Sequence, residues 1–349
     1  MIFDPPEDIQ VYRTVRGLQV CGDSRQILNA LPECSVDLIV TSPPFALLRQ
    51  KSYGNRHQED YVAWLSEFGR AAFAVLKQGG SFVLDLGGAY QRGRPVRSLH
   101  SFRVLLEFCD NLGYKLAEEF YWHNPAKLPS PIEWVNKRKI RVKDSVNTVW
   151  WLSKTDHPKA DVRQVLVPYS ARMKALLRNP KKYYAPKGRP SGHDIGGSFG
   201  KENQGAIPSN LLQISNTESN SHYLRTCKML DRDSHPARFP VALPEFFIKF
   251  LTDEDDVVVD IFSGSNTTGE AAELLGRRWL SIEQRHDFAT LSAVRFMKDW
   301  PEEAIRQSID AIDNGDCLDL NSASVPAFAY TSRDAMDGPE QVTLFDRGK

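Results

Sequence analysis

Two apolar runs of strand length each end in an abrupt turn, and the turns carry the most constraining strings of this 349-residue chain. Val36-Asp37-Leu38-Ile39-Val40 enters Thr41-Ser42-Pro43-Pro44-Phe45, and Val257-Val258-Val259-Asp260-Ile261 enters Phe262-Ser263-Gly264-Ser265-Asn266-Thr267-Thr268-Gly269. Apolar runs without alternation fit strands covered on both faces, as in the mostly parallel sheet of an α/β fold. Ligands of such sheets bind beyond the carboxyl ends of the strands, which is where both strings fall.

The surrounding periodicity agrees. Asp60 to Leu76 keeps helical spacing through Tyr61, Trp64, Leu65, Phe68, Ala72 and Val75; Ser81 to Leu86 reads as a strand, and Arg97 to Leu112 as a helix ended by Gly113. After Pro240 come a helix through Phe246 to Leu251, a helix after Gly269, a strand at Trp279 to Ile282 and a helix from Asp287 to Lys298. The expected architecture is a Rossmann-like, mostly parallel central sheet with helices on both faces. Between these halves the chain is rich in Lys, Arg, Ser, Asn, Gly and Pro, interrupted by Tyr169, Tyr183, Tyr184, Phe199, Leu211, Leu212 and Ile214. That composition predicts a smaller, irregular but folded recognition lobe. The expected divisions are an N-terminal extension over 1–17, a first half over 18–154, the lobe over 155–234, a second half over 235–328 and a loose tail over 329–349.

Charge is balanced at 44 basic and 44 acidic residues, but not evenly spread. Residues 121–200 hold 16 Lys or Arg against 5 Asp or Glu, and the densest run, Lys137, Arg138, Lys139, Arg141 and Lys143, is where phosphates are expected to lie. The five cysteines are scattered without C-x-x-C spacing, so they are expected to be reduced, mostly buried and not metal ligands. No run reaches the length of a membrane span and the first residues lack signal-peptide character, which makes a cytoplasmic location the expectation.

The chemistry is carried by the turns. Gly264 lets backbone approach a ligand, and Ser265, Thr267 and Thr268 offer small polar groups suited to an amino-acid carboxylate. The following strand ends on Glu283, where an acid can accept both ribose hydroxyl protons. In Ser42-Pro43-Pro44-Phe45 the prolines remove backbone donors and leave carbonyl oxygens free. Ser42 Oγ and the Pro43 carbonyl can accept the two hydrogens of an exocyclic base amine, and Phe45 can stack on the ring. Such an amine is paired inside a duplex, so the base must be extruded. Asp85 closes the strand expected beside that of Ser42 and can take the amine proton through Ser42 or a water.

With these strings in this order, the chain resembles the permuted amino-methyltransferases of restriction-modification systems. Ser42-Pro43-Pro44-Phe45 is similar to their S-P-P-Y/F motif, typical of N4-cytosine enzymes, and Asp260 to Thr268 to their D-x-F-x-G-S-x-T-T motif, with Ser263 at a position usually held by Gly or another small residue. The resemblance covers roughly 18–320 and includes Leu128-Pro129-Ser130-Pro131-Ile132-Glu133-Trp134 and Arg189-Pro190-Ser191-Gly192-His193-Asp194-Ile195. It implies an S-adenosylmethionine-dependent methyltransferase acting on double-stranded DNA at a CAGCTG-type site. Asp23, Arg238, Phe239, Asp260, Phe262, Gly264, Ser265, Thr267, Thr268 and Glu283 would bind the cofactor, and Trp122, preferred over Tyr121, would join Phe45 against the flipped base. Arg189, Ser191 and His193 would contact DNA beside the basic run. A cognate restriction endonuclease would share the target site and need not bind this chain, and the enzyme would act as a monomer.

Two alternatives stay open at this level: an N6-adenine methyltransferase, whose amine geometry is alike, and a non-catalytic DNA-binding protein, which would need neither Glu283 nor Asp85. A C5-cytosine mechanism is set aside because no Pro-Cys occurs, and a nicotinamide enzyme because G-x-G-x-x-G is missing.

Overall fold

In a computed structural model of the chain, residues 5–45, 60–179, 201–217 and 220–321 are described. Strands β1 (Gln10–Arg13) and β2 (Gly17–Cys21) precede helix α1 (Ser24–Ala30), β3 (Val36–Thr41), α2 (Tyr61–Val75) and β4 (Leu76–Leu86). Helix α3 (His100–Leu106) runs into a π-helical turn and is followed by β5 (Lys115–His123) and β6 (Val146–Ser153). Next come α4 (Ala171–Arg178), β7 (Leu211–Gln213), α5 (His222–Met229) and α6 (Ala242–Leu251). The chain continues with β8 (Val257–Asp260), α7 (Thr267–Leu274), β9 (Arg278–Glu283) and α8 (His286–Ser292), then α9 (Glu302–Asp313) and β10 (Leu318–Asp319).

The strands form one sheet in the order β10-β1-β2-β9-β8-β3-β4-β6-β5-β7. From β2 to β4 all neighbours are parallel, and β6 is antiparallel to both β4 and β5. At the centre β3 pairs with β8, with Leu38 opposite Val258 and Ile39 opposite Val259. The chain leaves β3 toward β4 on one side and β8 toward β9 on the other, which opens a crevice between their carboxyl ends. Both faces are buried. Leu38, Val40 and Val258 pack with Phe247 and Leu251 on one side, while Ile39, Val257 and Val259 pack with Leu65 and Phe82 on the other. This double burial is the physical reason that the two runs lack apolar–polar alternation.

Three expectations need correction. The part of the expected N-terminal extension that is described, residues 5–17, belongs to the sheet: β1 is a sheet strand, and Tyr12 is wholly buried, its hydroxyl sharing a 2.7 Å hydrogen bond with Ser292 Oγ and accepting Asn266 Nδ2 at 2.9 Å. Nor does the irregular lobe extend to 234, because β7 adds to the sheet beside β5 and α5 inserts Tyr223 and Cys227 into the core. A three-residue strand and an eight-residue helix are too short to stand out by periodicity in a polar stretch. Finally, of the five free cysteines only Cys227 is fully buried, and Cys34 and Cys317 are exposed. Among the described residues no helix is long and apolar enough to cross a membrane, and no cluster of three His, Cys, Asp or Glu is arranged to hold a metal.

Gly17 opens β2 against the indole of Trp279, where an added Cβ would fall 2.1 Å from ring atoms. The indole cannot swing away easily: it stacks on Phe296 at 5.3 Å and donates to Glu273 Oε2 at 2.6 Å. Gly17→Ala is therefore expected to cost about 1–3 kcal/mol through overpacking, visible as a lower urea midpoint; an unchanged midpoint would show that Trp279 yields freely.

Candidate active site

The crevice between β3 and β8 contains a pocket of about 500 Å³, within the rough 300–1,000 Å³ of small-molecule sites. Its back wall is organised by Asp260. This buried carboxylate accepts Thr41 Oγ1 at 2.7 Å, the Phe262 N–H at 3.1 Å and Thr268 Oγ1 at 2.6 Å. One side chain thereby joins the end of β3, the turn after β8 and the first turn of α7. Burial pushes its carboxyl up to about 6, opposed by hydrogen bonds from the Thr268 and Thr41 side chains and the Phe262 backbone. Asp260 and Thr268, expected at the cofactor, thus stand behind the pocket lining, their polar atoms spent on each other and on Thr41.

Gly264 sits at φ +50°, and a Cβ there would meet the His235 ring at 2.9 Å, so both backbone and space demand glycine. Asn266, also left-handed, caps α7 by accepting the Gly269 N–H at 3.0 Å and receives Ser281 Oγ at 2.7 Å. This holds Ser263, Gly264, Ser265 and Thr267 along the pocket. Opposite them, Glu283 accepts the N–H of Gly264 on one oxygen and that of Arg285 on the other, each at 2.9 Å. Burial raises its carboxyl above the usual range, with the Arg285 and Gly264 bonds pulling the other way. About four acceptor positions on a carboxylate leave roughly two for a ligand.

Phe262 builds an aromatic wall with Phe68 at 4.8 Å and Trp64 at 5.6 Å, and the Arg25 guanidinium lies 5.2 Å over Phe68. Asp23 lines the same end. It caps α1 through the Arg25 N–H at 2.9 Å and accepts the Arg25 side chain at 3.0 and 2.5 Å, which holds its carboxyl below the usual range. At the far end His235, pushed down to about 4 by burial, shares a hydrogen bond between its ring and the Ala237 carbonyl. Arg238, which donates to the His235 carbonyl, and Phe239 complete that wall.

On the β3–β4 side, Ser42 Oγ donates to Asp85 Oδ2 at 3.1 Å, and Asn147 Nδ2 donates to Asp85 Oδ1 at 3.2 Å. Burial pushes the Asp85 carboxyl up to about 6, while Ser42, Asn147 and the Lys127 charge hold it from rising further. Pro43, Pro44, Phe45 and Trp122 line the same pocket. The Trp122 indole is fixed by donation to the Ile214 carbonyl at 2.8 Å; Tyr121, pointing to the other face of β5, donates instead to Glu119. Trp150 and Trp151 are core residues, as expected.

The basic run divides. All five side chains are exposed; Glu133 accepts Arg138 at 2.9 Å and pairs with Lys137 at 3.4 Å. Arg141 donates to the Pro95 carbonyl and Lys143 to the carbonyls of Pro125 and Lys127, so these two tie a loop together, contrary to a purely phosphate-facing expectation. Arg189, Ser191 and His193 lie outside the described residues.

Sequence reasoning missed Trp64 and Phe68, whose helical spacing reads as core, and also Lys127 and Asn147, which reach the pocket from a loop and an antiparallel strand without a motif. Only the alternation along β6, which turns Asn147 to the same face as Val149, carried a signal for the last.

Two half-sites open onto one pocket, one suited to an adenosyl amino acid and the other to a planar base with an exocyclic amine; together they define a cofactor-dependent methyltransferase. The chain belongs to the DNA methylase family of N6/N4 methyltransferases, whose model matches residues 36–294. It is 57% identical over 312 residues to the Type II methyltransferase M.PvuII of Proteus hauseri, covering 89% of this chain and 93% of that protein. The solved PvuII DNA methyltransferase (cytosine-N4-specific) superposes with a TM-score of 0.74 at 49% identity over 90% of this chain and 98% of its own. A DNA modification methylase of Thermus thermophilus, solved with S-adenosyl-L-methionine, shares the fold at a TM-score of 0.50 and 23% identity, over 82% and 97% of the two chains. S-adenosyl-L-methionine is the methyl donor of the family, and the glycine cradle at Gly264, the aromatic wall and the spare acceptors of Glu283 fit it.

An added Cβ at Gly87 would lie 2.4 Å from the Phe45 ring. Gly87→Ala is expected to displace that ring and slow methyl transfer by at least about tenfold, with cofactor affinity unchanged by calorimetry; an unaltered single-turnover rate would remove Phe45 from the reacting geometry.

Proposed function

We propose that the chain transfers the methyl group of S-adenosyl-L-methionine to the N4 amine of a cytosine turned out of duplex DNA. The observation that carries this reading is the Ser42–Asp85 hydrogen bond, made across the pocket from the Gly264 and Glu283 half-site. Because Ser42 gives its hydrogen to Asp85, its lone pairs are left to accept an amine N–H. Pro43, with no N–H of its own, offers its carbonyl to the second hydrogen. Two acceptors on one nitrogen draw its lone pair out of conjugation with the ring. The bound cofactor supplies an electrophilic methyl carbon. The proton released by the amine passes to Ser42 Oγ while the serine hydrogen moves to Asp85, which Asn147 keeps in place. Phe45 and Trp122 bracket the base, offsetting the few kcal/mol of unstacking.

The cofactor assignment follows the walls: ribose hydroxyls to Glu283, adenine to Phe262 with Trp64 and Phe68 near Asp23, and the methionyl end to Gly264, Ser265, Thr267, Arg238 and Phe239. Cytosine is favoured over adenine by Ser42 at the head of its motif and by the relative named cytosine-N4-specific. The exposed Lys137, Arg138 and Lys139 are assigned to phosphates, with Arg141 and Lys143, also exposed, holding the loop beside them, and Arg189, Ser191 and His193 are assigned to the target. We further assign a CAGCTG-type palindrome, a cognate restriction endonuclease that shares the site and need not bind this chain, a monomeric state and a cytoplasmic location.

Labelled methyl transfer to duplex DNA followed by nucleoside analysis is expected to yield N4-methylcytosine; N6-methyladenine would replace the reading by its alternative, and no transfer would leave a binding protein. Ser42→Ala should lower the single-turnover rate on the order of 10²-fold without changing cofactor affinity, and a parental rate would reduce Ser42 to a turn residue.

With Asp85 raised to about 6 by burial, the carboxylate form that accepts the proton is lost as pH falls through that value. Single-turnover rates should therefore climb with pH through about 6 and level off above. In Asp85→Asn this limb should vanish along with most of the rate; a limb that persists belongs to another group.

A further inference from the structure

Beneath the loop that forms the cofactor side of the pocket lies a buried cation with no part in the assignments above. Arg295 follows α8 in a 3₁₀ turn and is 6% exposed. Its Nε donates to the Ser265 carbonyl at 2.5 Å, Nη2 to Ser265 Oγ at 3.0 Å and Nη1 to Glu270 Oε2 at 2.6 Å, and its guanidinium lies 4.8 Å over the Tyr223 ring. Lys298 pairs with the other Glu270 oxygen at 2.7 Å. Lys298 is half-exposed, so the buried pair is Arg295 with Glu270, and Glu270 divides its charge between the two cations.

A guanidinium can only donate. With Nη2 occupying a lone pair of Ser265 Oγ, the serine hydrogen must point elsewhere. Thr267 Oγ1, at 3.4 Å, is far for an O–H···O bond, and Ser265 lines the pocket, so the hydrogen is available to an acceptor there. We propose that Arg295 is a positioning residue that sets Ser265 as a donor toward the carboxylate of the cofactor's methionyl end and supplies the positive charge which that carboxylate requires. This rests on the cofactor assignment made above. It also ties α8 to the pocket, since the turn that carries Arg295 continues directly from that helix.

Calorimetric titration with S-adenosyl-L-methionine and with 5′-methylthioadenosine, which lacks the amino-acid portion, separates the possibilities. The unsubstituted chain should bind both; if it binds neither, the cofactor assignment and this inference fall together. Arg295→Met should weaken S-adenosyl-L-methionine by about ten- to a hundredfold, the loss of charge-assisted hydrogen bonding, and leave 5′-methylthioadenosine unchanged. Ser265→Ala, which removes a hydroxyl and leaves the buried ion pair intact, should act in the same direction if Arg295→Met yields little folded protein. The double variant should lose less than the two single losses combined, because both act on one interaction. Equal weakening of both ligands, or of neither, would make Arg295 a purely structural residue and overturn the proposal.

Discussion

The active pocket depends on a hydrogen-bonded carboxylate that never faces it. Asp260 gathers Thr41, Phe262 and Thr268 around one buried group, so the strand that ends in Ser42 and the loop that carries Gly264 are held in fixed relation. Burying a carboxylate is costly unless donors surround it, and three donors do so here. Asp85 occupies a comparable place on β4, on the other side of β3, and is shifted similarly by burial, yet among the described residues its side-chain hydrogen-bond donors are Ser42 and Asn147 alone. Matching environments thus give one acid that locks the wall and another that is open to exchange.

Each half-site is built on a rigid element rather than on a free loop. Glu283 ends β9, Asn266 caps α7, and the Ser42 turn leaves β3 where Thr41 is already bound to Asp260. Such placement favours a reaction whose principal requirement is alignment of a nucleophile with a methyl carbon. Asn266 is itself underpinned by Tyr12 from the opposite end of the chain, so the cofactor side draws support from β1, β9 and α8 at once.

Much of this was legible in the sequence. The two turns at strand ends located the pocket, and strand periodicity brought Asp85 beside Ser42. What stayed hidden has physical reasons. Motif membership does not distinguish a lining residue from one behind the wall, which is how Asp260 and Thr268 were placed at the ligand. Trp64 and Phe68 satisfy the same helical spacing whether their face meets core or cofactor. Arg295 falls inside the helix expected over 287–298, where it reads as a solvent-facing residue, but the helix ends at Ser292 and tertiary packing buries Arg295 in the turn that follows; Tyr12 lies in a strand too short to announce itself. The basic run read correctly as a cluster, but composition cannot tell a phosphate ligand from a side chain that clamps its own loop, as Arg141 and Lys143 do.

The pairing of β3 with β8 also governs how the molecule comes into being. Thr41 and Asp260 are 219 positions apart, so a ribosome must release most of the chain before these partners can meet. Until then β3 presents a long apolar edge with one neighbour missing, a state prone to mispairing with other nascent chains. Catalytic competence consequently arrives late in synthesis. A truncated product that ends before β8 would carry Ser-Pro-Pro-Phe and the basic run yet lack the wall against which they act, leaving an inert and sticky fragment rather than a partly active enzyme.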